Sequence, residues 1–154
     1  MSRQGILRPL RRGLIGAILA ISVAACSQPD QTMDIVAPLE RATSGQKPGE
    51  TLNFATLAPF TWDRMLLAGP YTPLAELERV LAKPVPGALR SIDLDRRDDV
   101  NAAVFLNGQD IVHAQAIPRR IIDFRKADLL KPIARADARF TRAESGVGYV
   151  LVER

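Results

Sequence analysis

Asn107-Gly108 stands between two apolar runs, Val-Asn-Ala-Ala-Val-Phe-Leu over 100–106 and Ile-Val-His-Ala-Gln-Ala-Ile over 111–117. No other local signal in the chain restricts the fold as strongly. An Asn-Gly pair between β-prone segments marks a two-residue hairpin turn, because both central residues of a type I′ turn need positive φ. With Asn107 and Gly108 central, Val104 faces Ile111 and Ala102 faces His113 across the ladder. The chain is thereby committed to an antiparallel strand pair in its middle.

The flanking segments fill in around that hairpin. Residues 51–57 alternate loosely as a strand, and 60–68 continue as a second extended or mixed segment that ends at Gly69-Pro70. Pro73 suits a first helical position, where the missing N–H costs nothing, and Leu74, Leu77, Val80 and Leu81 follow at helical spacing before Pro84. A short amphipathic helix is expected there. Residues 88–94 alternate again as a strand, and Asp95-Arg96-Arg97-Asp98-Asp99 makes a polar turn into the central hairpin. A second hairpin is expected where 138–143 and 147–152 flank Glu144-Ser145-Gly146, after a loop over 128–136 with a helical turn broken by Pro132. Paired strands with one clear helix indicate an α+β domain built on a small antiparallel sheet with one or two short helices. No long-period repeat is present.

The N-terminus has a different character. Arg3, Arg8, Arg11 and Arg12 precede the weakly apolar stretch 13–25, and no acidic residue occurs before Asp30. This is the charged and then apolar order of an export signal. Thirteen helical residues rise about 20 Å, short of the roughly 30 Å hydrocarbon core, so a permanent span is disfavoured. The stretch closes as Val23-Ala24-Ala25-Cys26, with the chain's single cysteine directly after two small residues.

That closing tetrapeptide resembles the lipobox of bacterial lipoproteins. The resemblance implies cleavage before Cys26 and attachment of a diacylglyceryl group to its thiol. It divides the chain into a signal peptide over 1–25, a flexible tether over 26–50 and one α+β domain over 51–154. The tether reading rests on the Gln, Pro, Ser, Thr and Gly content of Ser27-Gln28-Pro29-Asp30-Gln31-Thr32 and Thr43-Ser44-Gly45-Gln46-Lys47-Pro48-Gly49, with one helical turn around Asp34 to Arg41. Ser27, following the cysteine in place of the aspartate that retains lipoproteins in the inner membrane, implies the outer membrane in a Gram-negative host. Stable anchoring needs two lipid chains or signals, which a diacylglyceryl cysteine meets alone.

Accepting that cleavage changes what composition means. The chain carries 21 basic and 17 acidic residues; without the four arginines of the signal, the basic count falls to 17 and matches the acidic one. A neutral mature protein without a Lys/Arg stripe gives nucleic acid little to bind. With its only thiol acylated it forms no disulfide, so its stability must come from a core.

Trp62-Asp63, Pro70-Tyr71, Pro118-Arg119 and Asp123-Phe124 occur in this order along the chain. The series is similar to a pattern in small uncharacterised bacterial lipoproteins and secreted proteins, a family with no known reaction, and covers about half the chain. Here Arg120-Ile121-Ile122 separates the last two pairs. The aromatic rings bury well and Asp63 can pair with Arg119 or Arg120, so the residues suit a structural clasp. They also suit a partner or ligand groove lined by Trp62, Asp63, Tyr71 and Arg119.

Catalytic alternatives find less support. Asp93, Asp95, Asp98 and Asp99 resemble a cation loop, but an EF-hand counted from Asp93 requires glycine where Asp98 stands and glutamate where Val104 stands. Arg96 and Arg97 neutralise half the cluster, which favours a solvated turn. One histidine, His113, and no free cysteine leave too few groups for most nucleophilic triads or zinc sites. The expectation is a non-enzymatic, lipid-anchored envelope module without metal or cofactor. Its partners are the membrane, through Cys26, and another envelope protein. The alternative is a small envelope enzyme or accessory subunit using carboxylates such as Asp63 or Asp123. An assembly component pairing through an exposed strand edge is a further possibility.

Overall fold

A computed structural model describes residues 33–125, 128–145 and 148–152. Cys26 and residues 1–25, the stretch read as a signal peptide, lie outside the described residues.

Two four-stranded sheets form an α+β fold. The first has the order β4-β3-β2-β6, with β2 Arg64–Ala68, β3 Val100–Asn107, β4 Asp110–Pro118 and β6 Ile133–Ala134. The second has the order β1-β7-β8-β5, with β1 Thr51–Asn53, β5 Asp123–Phe124, β7 Arg139–Arg142 and β8 Gly148–Leu151. All pairings are antiparallel except β5 with β8. Among the described residues four short α-helices accompany them: α1 Val36–Thr43, α2 Phe54–Leu57, α3 Leu74–Leu81 and α4 Gly87–Arg90.

The first sheet is buried on both faces, which explains why β3 is a nearly unbroken apolar run. Val100, Ala102, Val104 and Leu106 pack with Leu66 and Ala68 of β2 beneath Leu77, Leu81 and Leu89 of α3 and α4. Ala103 and Phe105, with Met65 and Leu67, face the second core, which joins Leu52, Phe124, Phe140 and Tyr149 of the other sheet. Phe54 is the hub of that core. Its ring lies 5.4 Å from Phe140, 6.1 Å from Phe124 and 6.4 Å from Phe105.

The expected helix appears as α3 and the expected hairpins as β3-β4 and β7-β8. Several local expectations do not hold. The central turn moves by one residue: Asn107 pairs with Asp110, leaving Gly108 and Gln109 central, and only Gly108 has positive φ, at 58°. Glycine at the first central position is the type II′ pattern. The register then skips Val112, so Val104 faces Ala114 and Ala102 faces Ala116, while His113 faces Phe105. The change follows from burial on both faces, since alternation alone cannot choose between registers when either face welcomes an apolar side chain.

Residues 51–57 begin as strand but turn helical at Phe54, where the Asn53 side chain accepts from Ala55 N at 3.0 Å. The stretch 88–94 is not a strand. Pro86 precedes the turn of α4, and a 3-10 turn follows at Leu94–Arg96, which buries both Leu89 and Leu94. Glu78 of α3 secures α4 by accepting from Val85 N at 3.0 Å and by pairing with Arg90.

The second half of the stretch read as tether also differs. Ile35, just before α1, and Leu39 within it are buried in the core with Phe54 and Phe105. Gln115 of β4 holds its start, accepting from Ile35 N at 3.0 Å and donating to Asp34. Polar composition obscured two well-spaced apolar residues.

Candidate functional site

The proposed groove residues separate into two groups at opposite ends of β2. A five-residue strand spans about 17 Å, so Trp62-Asp63 at its start and Tyr71 beyond its end cannot share a cleft. Trp62 is buried, edge-on to Phe105 at 5.1 Å, with the Arg135 guanidinium 5.6 Å from its ring centre. Asp63 is exposed and closes the central hairpin, accepting from Gly108 N at 2.6 Å while facing Arg64 at 3.3 Å. Neither expected partner reaches it. Arg120 pairs with Glu40 at 2.6 Å, and Arg119 pairs with Asp123. Asp63, Arg119 and Asp123 therefore form no cluster.

At the other end, Pro70, Tyr71, Arg119, Asp123 and Phe124 line one cleft of about 540 Å³. Each arrives by a different local device. After β2, Gly69 and Pro70 turn the chain, and Tyr71 takes φ 59°, its N–H shared between Leu94 O at 3.1 Å and Arg97 O at 3.2 Å. A left-handed conformation costs a tyrosine roughly 1–2 kcal/mol. Tyr71 is nevertheless 60% exposed, the one large apolar side chain among the described residues left so open. Leu130, on the opposing segment, is also left-handed at φ 56° and donates its N–H to Leu67 O at 2.7 Å. Two strained residues facing one opening are a recurrent mark of a functional site.

Arg119 follows β4. Its backbone N–H binds Asp99 O at 2.8 Å, and its side chain forks onto Asp123, Nε to Oδ1 at 2.9 Å and Nη2 to Oδ2 at 2.5 Å, while Nη1 reaches Asp98 O at 2.7 Å. Bidentate pairing fixes a guanidinium plane as lysine cannot. Asp123 raises the Arg119 pKa above its ordinary value, against the opposing effect of burial. Glu76 from α3 adds a carboxylate, and Phe124, Leu129 and Leu130 add apolar wall. A Cβ at Gly69 would lie 2.5 Å from Leu129 Cδ1, so an alanine there would turn the half-buried Leu129 side chain aside.

The remaining candidates lie apart. His113 is half-buried on β4, its Nε2 3.1 Å from Gln115 Oε1 and its ring 4.9 Å from Phe60. In the acidic turn, Asp99 is held by Arg97, which lowers its pKa, and Asp93 takes a left-handed φ of 49°. Among the described residues no group of three or more His, Cys, Asp or Glu side chains is placed to hold a metal ion. No described helix is long and apolar enough to cross a membrane.

Sequence reasoning placed Tyr71 and Arg119 in a groove but missed Thr72, Glu76, Leu129 and Leu130. Nothing in the local sequence marks these four. Comparison of the chain with family models, curated proteins and solved structures returns no match.

Proposed function

We propose that this protein is a lipid-anchored bacterial envelope lipoprotein, attached through Cys26 and carried to the outer membrane of a Gram-negative host. Its domain is a non-enzymatic interaction module that engages an envelope partner at the Tyr71–Arg119 cleft. The observation that supports the reading best is convergence: Pro70-Tyr71, Arg119 and Asp123-Phe124, separated in sequence, line one cleft. The groove is thus reassigned from Trp62, Asp63, Tyr71 and Arg119 to a site that keeps only the last two.

The cleft offers recognition chemistry. Its components are an aromatic ring held open, a neutralised ion pair, one further carboxylate and an apolar wall, a mixture suited to anchoring an aromatic or apolar group of a partner within a polar surround. A fixed ion pair contributes specificity by orienting its neighbours.

Two experiments test the reading separately. For the anchor, cells expressing the wild type or Cys26→Ala are labelled with palmitate and fractionated. The wild type is expected to incorporate label and sediment with membranes, and label retained by Cys26→Ala refutes the anchor. For the cleft, a photoreactive amino acid at Tyr71 is expected to capture a discrete envelope protein that the same group at exposed Arg139 does not. Identical capture patterns from the two positions refute the cleft.

A further inference from the structure

Among the residues that line the Tyr71–Arg119 cleft, Glu76 and Asp123 stand against Arg119 alone, which leaves one negative charge in excess. That guanidinium is already engaged, by both oxygens of Asp123 and by Asp98 O. The cations beside the cleft are engaged as well: Arg97, whose carbonyl holds the Tyr71 N–H, pairs with Asp99, and Arg125 faces Asp128 at 3.7 Å. Glu76 is the carboxylate left over. It stands in the first turn of α3 with its side chain 44% exposed, and Arg79, itself 73% exposed, comes only to 3.9 Å. An exposed pair of that length contributes little and gives way to a better-placed cation.

Tyr71 adds an aromatic face. Its ring is 60% exposed, and among the described residues the one cation held over an aromatic ring is Arg135 on Trp62. The face of such a ring is negative and attracts a cation, most often a guanidinium. Tyr71 and Glu76 lie five residues apart around the start of α3 and border the same opening.

We propose that the cleft receives an arginine side chain of the envelope partner, its guanidinium stacked on Tyr71 and hydrogen-bonded to Glu76, beside the apolar anchor on the Leu129–Leu130 wall. The inference rests on the cleft being the partner site, as proposed above, and names what that site selects. Charge complementarity chooses this occupant. An acidic side chain would meet Glu76 where the lining's only cation is already paired, and a neutral one would leave the excess charge unmatched. Arginine also offers an apolar stem for the wall and a planar head that stacks as an ammonium does not.

The chain has two tyrosines, so ring-labelled tyrosine gives NMR signals from Tyr71 and from Tyr149, which is 1% exposed and serves as the internal control. Full-length protein in detergent is titrated with acetyl-Leu-Arg-Leu-amide and with its citrulline counterpart, in which a neutral urea of the same shape replaces the guanidinium. The Tyr71 signals are expected to move saturably with the arginine peptide while those of Tyr149 stay in place. The citrulline peptide is expected to bind about fivefold more weakly or worse. Glu76→Gln, with unchanged circular dichroism, is expected to erase that preference. Equal binding of the two peptides by the wild type, binding of neither, or a preference that survives Glu76→Gln overturns the proposal. The cleft as partner site is judged separately, by photo-capture at Tyr71, and survives each of those results if a discrete envelope protein is captured there.

Discussion

Replacing Phe54 with alanine removes the ring that joins the two sheets. Phe54 is 1% exposed and touches Phe105 of the first sheet as well as Phe124 and Phe140 of the second. Withdrawing its ring from the apolar interior forfeits about 2–3 kcal/mol of transfer free energy. Incomplete collapse around a residual void of roughly 50–100 Å³ adds about 1–2 kcal/mol at ~24 cal/mol per Å³. The sum, about 3–5 kcal/mol, compares with a total stability of about 5–15 kcal/mol for an ordinary domain. Urea denaturation followed by Trp62 fluorescence measures it, since Trp62 packs on Phe105 within the same core. The midpoint is expected to fall sharply with an unchanged m value, and Phe60→Ala, at a half-buried position, is expected to cost less. A loss below about 1 kcal/mol for Phe54→Ala refutes the shared core, because a fully enclosed phenylalanine cannot be so inexpensive.

Three further outcomes are expected. Asp34 is held below the ordinary carboxylate pKa, first by Gln115 and then by Val36 N–H. A depressed folded pKa means that the unfolded chain takes up the proton first on acidification. The stabilisation is therefore complete above the unfolded value near 4 and is lost as pH falls through the folded one. The stability difference between wild type and Asp34→Asn should shrink steadily below about pH 4 in acid denaturation, and a difference that persists to pH 2 removes this account. Gly69→Ala should displace Leu129 from the cleft wall at a cost below about 1 kcal/mol, read as a shifted Leu129 methyl resonance with the melting temperature little changed, and a large drop in melting temperature would refute the reading. Tyr71→Gly should leave stability unchanged or raise it by up to about 1 kcal/mol, because left-handed strain is relieved against glycine's greater unfolded entropy, while capture of an envelope partner by a photoreactive group at Glu76 of the same cleft is lost. Strong destabilisation by Tyr71→Gly would assign this residue to the scaffold.

Taking Trp62-Asp63, Pro70-Tyr71, Pro118-Arg119 and Asp123-Phe124 as one series groups residues that the fold uses for two purposes. Trp62 builds core and Asp63 closes a turn, while the later pairs line the cleft. Order along a chain carries no information about which end of a strand a residue reaches. The cleft also needs Glu76, Leu129 and Leu130, which come from a helix face and a loop without a distinguishing motif.

By itself, the sequence determined the features that depend on a few neighbouring residues. The helix between Pro73 and Pro84 and the presence of both hairpins follow from local spacing and turn chemistry. The tertiary structure decided the rest. Burial of both faces of β3 chose a register and a turn one residue from the expected ones, and the need to enclose Leu89 and Leu94 coiled an alternating stretch. The available surface of the core drew Ile35 and Leu39 out of a polar stretch. Local backbone preferences amount to a few tenths of a kcal/mol up to about 1 per residue, and a buried leucine or phenylalanine contributes about 1.5–3. Where the two conflicted, burial prevailed, and it placed Tyr71 and Arg119 on one cleft while sending Trp62 and Asp63 to the far end of β2.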